Sequence, residues 1–284
     1  MSKTKVDIGI ACSGSQVSTW WAKIMGMLLY TDRSEFGIEI GRIHAISSAL
    51  PDHNKNNMIT KKRHKLTDMN RNTISKGFLD GDADWLMQID DDTVPPQDAI
   101  IRLLKSQRDF VSGLYFLSEP PYNPVAYYRH PNGLYNPVYD YPKGMLTQVD
   151  STGMGCSMIH RSVFEKIRDA HEVFARADGS YFAFPKDRVK GKTLSGDPKG
   201  KAMIRDSELI MPVRLLDPDD NRVFPFYAME YGRTEDHHFC ELCANVGVRP
   251  WLDATIECKH IKHYQYSVED YDRYKQENPN YERP

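Results

Sequence analysis

The chain has 284 residues, and its 37 Lys and Arg against 39 Asp and Glu leave a formal net charge of −2, which excludes a histone-like or tail-driven nucleic-acid binder. At 40% hydrophobic and 11% aromatic it is too apolar to stay disordered and long enough to bury a real core. Five cysteines do not make a disulfide framework, no apolar stretch reaches the roughly 18 residues that span a bilayer, and no signal peptide precedes the first strand, so a soluble cytoplasmic protein is expected.

Val6 to Ala11 alternates and meets the small residues Cys12, Ser13, Gly14 and Ser15, a strand running into a turn. Residues 16–30 predict a helix with Trp20, Ile24 and Met27 or Leu28 on one face. Ile38 to Ala49 reads as a second strand and residues 68–79 as a second helix. Trp85 to Ile89 is a short apolar strand that ends in Asp90, Asp91 and Asp92. Pro95 and Pro96 open a helix whose buried face is Ile100, Ile101, Leu103 and Leu104, and Phe110 to Tyr115 is another strand. Strands alternating with helices predict an α/β fold with a mixed, mostly parallel sheet flanked by helices. Ligands of such sheets bind beyond the carboxyl ends of strands, where the acidic triplet lies.

Residues 119–147, rich in Pro and Tyr, read as irregular loop and short antiparallel strand. Residues 176–224, rich in Gly, Lys, Asp and Pro, read as a long insertion or lid. Regular structure is expected again from Asp236, as a helix to about Asn245 stopped by Gly247, then a strand from Arg249 to Ile256. This organisation implies one catalytic domain over residues 1–263 and a polar, aromatic tail over 264–284.

Residues 78–98 hold seven acids and no Lys or Arg. Adjacent carboxylates repel, so order there requires exposure or a cation, and Mg²⁺ or Mn²⁺ uses one or two carboxylates plus substrate phosphates. Asp90 and Asp92 form one such grip; the competing reading is a solvated turn capping the next helix. An EF-hand starting at Asp80 fails, because Trp85 takes the glycine position and Asp91 the final Glu position. Glu235 and Asp236 precede the last helix, either as complements to its dipole or as a general base. Cys240, Cys243, Cys258 and His260 invite a zinc reading, although Cys240 and Cys243 lie one turn apart on a helix face and read more simply as buried thiols. His260 follows a strand, where a neutral imidazole can share a metal with Asp92. Basic stretches at 53–72, six Lys/Arg against one Asp, and 186–205, seven against two, are solvated surface or walls for an anion. Gly191-Lys192-Thr193 is no P-loop, since Lys186 takes the place of the upstream glycine.

In this order, the pieces resemble a GT-A fold glycosyltransferase of the family 2 type over roughly residues 6–262. The resemblance rests on the first strand ending at Ala11-Cys12-Ser13, Arg71-Asn72, and the Asp-x-Asp of Asp90 to Asp92. It continues through Val111 to Tyr115, Ser151 to Ile159 with Gly153-Met154-Gly155, and Glu235-Asp236 heading a helix. Trp251-Leu252-Asp253 leading to His260 completes it. It implies a sugar moved from a nucleotide-diphosphate donor, UDP-linked by expectation, to an acceptor hydroxyl with inversion. Asp236 would be the base, with Glu235 beside it. Asp92, Asp90 and His260 would hold Mn²⁺ or Mg²⁺. Ala11, Cys12, Ser13, Arg71, Asp90, Asp91, Gly153, Met154 and Gly155 would line the donor. The long stretch from Gly155 to Glu235 departs from the family pattern and leaves the acceptor open, a polyanion such as hydroxylated-base DNA included. Two other functions compete: a metal-dependent nucleotidyltransferase, which lacks its basic loop after Cys12, and a non-catalytic zinc or nucleic-acid-binding module.

Overall fold

The first strand alternates in sequence, yet the structure buries it on both faces from Val6 to Cys12, Asp7 included. The computed structural model describes residues 3–12, 18–33, 35–47, 59–117, 122–141, 143–176, 181–187, 202–206, 209–215, 224–229 and 233–261. In chain order the elements are β1 Thr4–Cys12, α1 Ser18–Asp32, β2 Ile38–Ser47, α2 Ile59–Leu79, β3 Trp85–Asp90, β4 Thr93–Val94, α3 Ala99–Lys105, β5 Phe110–Leu114, β6 Ala126–Arg129, β7 Tyr135–Pro137 and β8 Leu146–Gln148. There follow β9 Ser151–Thr152, β10 Cys156–His160, α4 Arg161–Ala170, β11 His171–Arg176, β12 Tyr181–Pro185, β13 Ala202–Asp206, β14 Leu209–Leu215, α5 Glu235–Asn245, β15 Trp251–Glu257 and β16 Lys259–His260.

The central sheet runs β2-β1-β3-β10-β5-β15-β8. β2, β1 and β3 are parallel, and β15 is parallel to β5. β10 is antiparallel to both of its neighbours, β3 and β5, and β8 is antiparallel to β15. The fold is therefore a mixed α/β one with a large, mostly parallel sheet flanked by helices. Strand alternation divides the core between the two faces. On one face Val6, Ile8, Ile10, Met87 and Ile89 meet α1 through Trp20, Ile24 and Met27, and α3 through Ile100 and Leu103. On the other, Leu86 and Ile159 meet α2 through Ile74 and Phe78, α4 through Phe164 and Ile167, and α5 through Phe239 and Leu242. A smaller core of Leu114, Ala126, Val138, Val149 and Leu252 lies under the β6–β8 region.

Three expectations need correction. The helix after Pro95-Pro96 starts only at Ala99, because the prolines lead into a turn closed by the Ala99 N–H on the Pro96 carbonyl, 3.0 Å. The segment 176–224 is not wholly irregular: β12-β11-β14-β13 form a four-stranded antiparallel sheet. Its Gly, Lys and Asp hide the strands, since pairing rather than composition makes them. The helix before β11, α4, buries Val163, Phe164 and Ile167 at helical spacing and brings an element into a stretch where none was expected. Ser13, residues 53–58 of the first basic stretch, most of the second and the tail lie outside the described residues.

Candidate active site

β1 and β3 end side by side, with Ala11 in register with Asp90. Asn70 of α2 donates to the Cys12 carbonyl at 3.4 Å, which seats the next residue, Arg71, over the strand ends. Arg71 is only 2% exposed. One guanidinium nitrogen donates to Asp90 Oδ1 at 2.8 Å and another to Gln88 Oε1 at 3.3 Å. Its Nε lies 3.5 Å from Glu235 Oε1 and 3.6 Å from Asp236 Oδ1. Those last two are ion-pair contacts, and both Arg71 Nε and Asp236 Oδ1 are without a hydrogen-bond partner among the described residues. Burial works against the guanidinium charge, but Asp90, Asp236 and Glu235 outweigh it and hold its pKa above the ordinary value.

Asp236 has the opposite problem. Burial, and then the neighbouring Glu235 charge, push its carboxyl well above the usual carboxylate range, although Arg71 and a hydrogen bond from the Met154 N–H oppose the shift. The helix start places it there: Glu235 and Asp236 form the first turn of α5, where peptide dipoles favour negative charge. The segment just before α5 is clamped to α2 by Asn72, whose side chain donates to the Tyr227 carbonyl at 2.8 Å and accepts from the Tyr227 N–H at 2.9 Å. The Tyr227 hydroxyl hydrogen-bonds Gln88, so β3, α2 and this segment converge on Arg71.

The rest of the triplet faces another way. Asp91 is buried, whereas the Asp92 side chain is half-exposed and lies 3.8 Å from His260 Nε2. The two are brought together by the β4–β16 ladder, with His260 opposite Thr93 and the Ile261 N–H on the Asp92 carbonyl at 2.7 Å. Trp20 of α1 pins the same turn by donating to the Thr93 carbonyl at 2.7 Å. Partial burial, and then Asp90, raise the Asp92 pKa. Asp90 and Asp92 thus have separate partners, Arg71 and His260. No group of three or more metal-ligating side chains occurs among the described residues. The oxygen and nitrogen donors of Asp92 and His260 nevertheless suit a hard cation that completes its shell with phosphate and water.

Gly153 and Gly155 sit against Tyr115. A side chain at Gly153 would come within 1.9 Å of the Tyr115 hydroxyl, and one at Gly155 within 3.0 Å of both Asp90 Oδ2 and the buried Thr93 Oγ1. The Gly155 N–H donates to the Tyr115 hydroxyl at 3.0 Å, and the Tyr115 ring stands edge-on to His260 with centroids 5.5 Å apart. Burial, then Asp90 and Asp236, raise the Tyr115 pKa. Met154, between the glycines, is fully buried. Tyr115 and Gln88 fall within strands that the sequence marks, Val111 to Tyr115 and Trp85 to Ile89, but no site role is expected of either; for Tyr227 the signal is the aromatic-rich Phe224-Pro225-Phe226-Tyr227 ahead of Glu235.

The cysteines do not converge. Cys240 and Cys243 belong to the core on the α2 face of the sheet, while the free thiols of Cys258 and Cys156 meet by a hydrogen bond in the core on the α1 face. Burial pushes the Cys240 thiol up to about 12.

No protein-family model matches the chain, and no curated protein does. Among solved structures the chain is similar to A197 from STIV at 13% identity and a TM-score of 0.42, over 93% of this chain and 87% of that one. A likeness this loose carries no argument about function.

Proposed function

We propose that the chain is a metal-dependent, inverting glycosyltransferase that uses a nucleotide-diphosphate sugar, with UDP as the expected nucleotide. The observation that supports it best is the link through Arg71 between the strand-end carboxylate Asp90 and the helix-start carboxylate Asp236. A donor site and a base are thereby held in one framework.

In this reading Asp92 and His260 hold Mn²⁺ or Mg²⁺, which supplies a positive charge to the leaving diphosphate. Asp236 takes the proton of the acceptor hydroxyl as its oxygen bonds the anomeric carbon. The bond from that carbon to the diphosphate breaks, and its electron pair leaves with the phosphate. A carboxylate with a raised pKa is a stronger base than an exposed one, which suits this role. Burial, and then Glu235, keep that pKa high, and Arg71 opposes them.

Asp236→Asn is expected to lower transfer by about 10²–10⁴ while leaving calorimetric binding of UDP with Mn²⁺ unchanged. Near wild-type turnover would show that another group is the base. Asp92→Ala is expected to remove the Mn²⁺ dependence of UDP binding. Equal UDP affinity with and without Mn²⁺ in the parent protein would remove the metal from the reading.

A further inference from the structure

Helix α1 is apolar nearly all round: between Ser18 and Asp32 its only charged side chains are Lys23 and Asp32. Trp20, Ile24, Met27 and Leu28 face the core, while Met25 and Leu29 stay 44% and 49% exposed on the outer side. Gly26 lies between those two, and no atom lies within 4 Å of where its side chain would begin. A helix without a polar face belongs under cover, so the outer side of α1 calls for a partner.

Beside Gly26 a groove of about 410 Å³ opens toward the β4–β16 ladder. Pro95 and Pro96 line it from the turn after β4, Lys259 lines it from β16, and Lys23 of α1 lines it too. Glu257, the last residue of β15, is the one acid among the lining residues. Among the described residues neither lysine makes a salt bridge. Two cations to one carboxylate over an apolar floor suit a short acidic peptide that carries an aromatic ring.

The chain itself holds such a peptide within reach. Ile261 is two positions past Lys259, and its N–H bonds the Asp92 carbonyl, so the chain heads away from Pro95 as β16 runs antiparallel to β4. Lys262 to Ser267 leave six residues for a reverse turn, and Val268-Glu269-Asp270-Tyr271-Asp272 follows. That stretch lies outside the described residues and has three acids, one tyrosine and no base. A segment tethered this closely has an effective concentration of about a millimolar, well above that of a second copy in dilute solution.

We infer that residues 268–272 seat in this groove as an intramolecular strap. Lys23 and Lys259 take the carboxylates of Glu269, Asp270 or Asp272, and Tyr271 covers Pro95 and Pro96. The strap ties α1 to β16, the strand that carries His260, and so steadies the corner where His260 meets Asp92 without adding a group to it. The inference is independent of the glycosyltransferase reading.

The test is zero-length carbodiimide coupling of the full chain at micromolar concentration, with isotope-labelled and unlabelled chains mixed in equal parts. The reagent joins a lysine amine to a carboxylate as an amide, with loss of water, where the two already touch. Digestion and mass spectrometry should find Lys23 and Lys259 linked to Glu269, Asp270 or Asp272 within one chain. Absence of those links overturns the inference. So do links that join labelled to unlabelled chains, which would assign the groove to a second copy. A second measurement needs no cross-link. Acetylation of Lys23 and Lys259 should be slower, by about three-fold or more, in the parent than in a variant carrying Glu269→Gln, Asp270→Asn and Asp272→Asn, the size that exposed ion pairs provide. Lys166 of α4, on the other face of the sheet, should react equally in both. Equal rates at Lys23 and Lys259 in the two proteins overturn the inference as well.

Discussion

One guanidinium, that of Arg71, faces three carboxylates, Asp90, Glu235 and Asp236. Removing it as Arg71→Met leaves buried like charges unanswered, which costs about 3–5 kcal/mol. Asp236, raised by burial and then by Glu235, would lose the opposing charge of Arg71 and bind its proton more tightly still in the folded state, so the variant gains stability relative to the parent as pH falls. Urea unfolding at pH 7.5 and pH 5 checks this, and an equal deficit at both would contradict it. His237 shows the reverse linkage. Burial, and then Arg233, lower its pKa from 6.5 to about 4. Its contribution is complete above pH 6.5 and is lost as pH falls toward 4, so His237→Gln should flatten the fall of Tm with pH over that window. An unchanged slope would mean that His237 titrates normally. The position of Arg71 beside the acidic strand is legible in the sequence; its ring of partners is not, because two of them lie far along the chain and only the fold brings them back.

At the scale of elements, the loop between β9 and β10 depends on two glycines that let Tyr115 in. Gly153→Ala would drive a methyl group to 1.9 Å from the Tyr115 hydroxyl and 2.7 Å from Val125, a destabilisation of about 1–3 kcal/mol. The cost should shrink in the Tyr115→Phe background by at least about 0.5 kcal/mol, read from a double-mutant cycle; additive costs would show that the loop yields elsewhere. The Gly-Met-Gly triplet is visible in the sequence, but the ring that needs it is not, since nothing local marks Tyr115. Helix α1 is legible because its apolar period matches its burial, and β3 because it is a short apolar run; β1 is legible as a strand, but its alternation does not foretell that Asp7 is buried with the rest. Also legible is α5, which ends before Gly247 at φ +75°, a backbone state that suits glycine. The four strands between residues 171 and 215 are not legible, because their pairing partners rather than their own residues define them. The direction of β10 is equally hidden, as an antiparallel strand inside a parallel sheet has the same apolar run as its neighbours.

At the scale of the whole molecule, no helix among the described residues is long and apolar enough to cross a membrane. The donor reading makes a prediction here. UDP with Mn²⁺ at about 100 times its Kd should raise the unfolding free energy by about 2.7 kcal/mol, and EDTA should reverse the gain. A thermal midpoint indifferent to both would count against a donor site. The placement of β10 also governs how the chain can be made. β3 and β5 lie on either side of it and do not touch as ladder partners, so a nascent chain that has emerged only to residue 150 has a gap in the middle of its sheet. β3 then has one unpaired edge and β5 has two, because β15 is still to come. Such edges recruit other chains. A fragment ending at residue 150 should therefore sediment as aggregate where the full chain does not; β10 closes the gap by residue 160, and the last edge of β5 closes only when β15, Trp251–Glu257, has emerged.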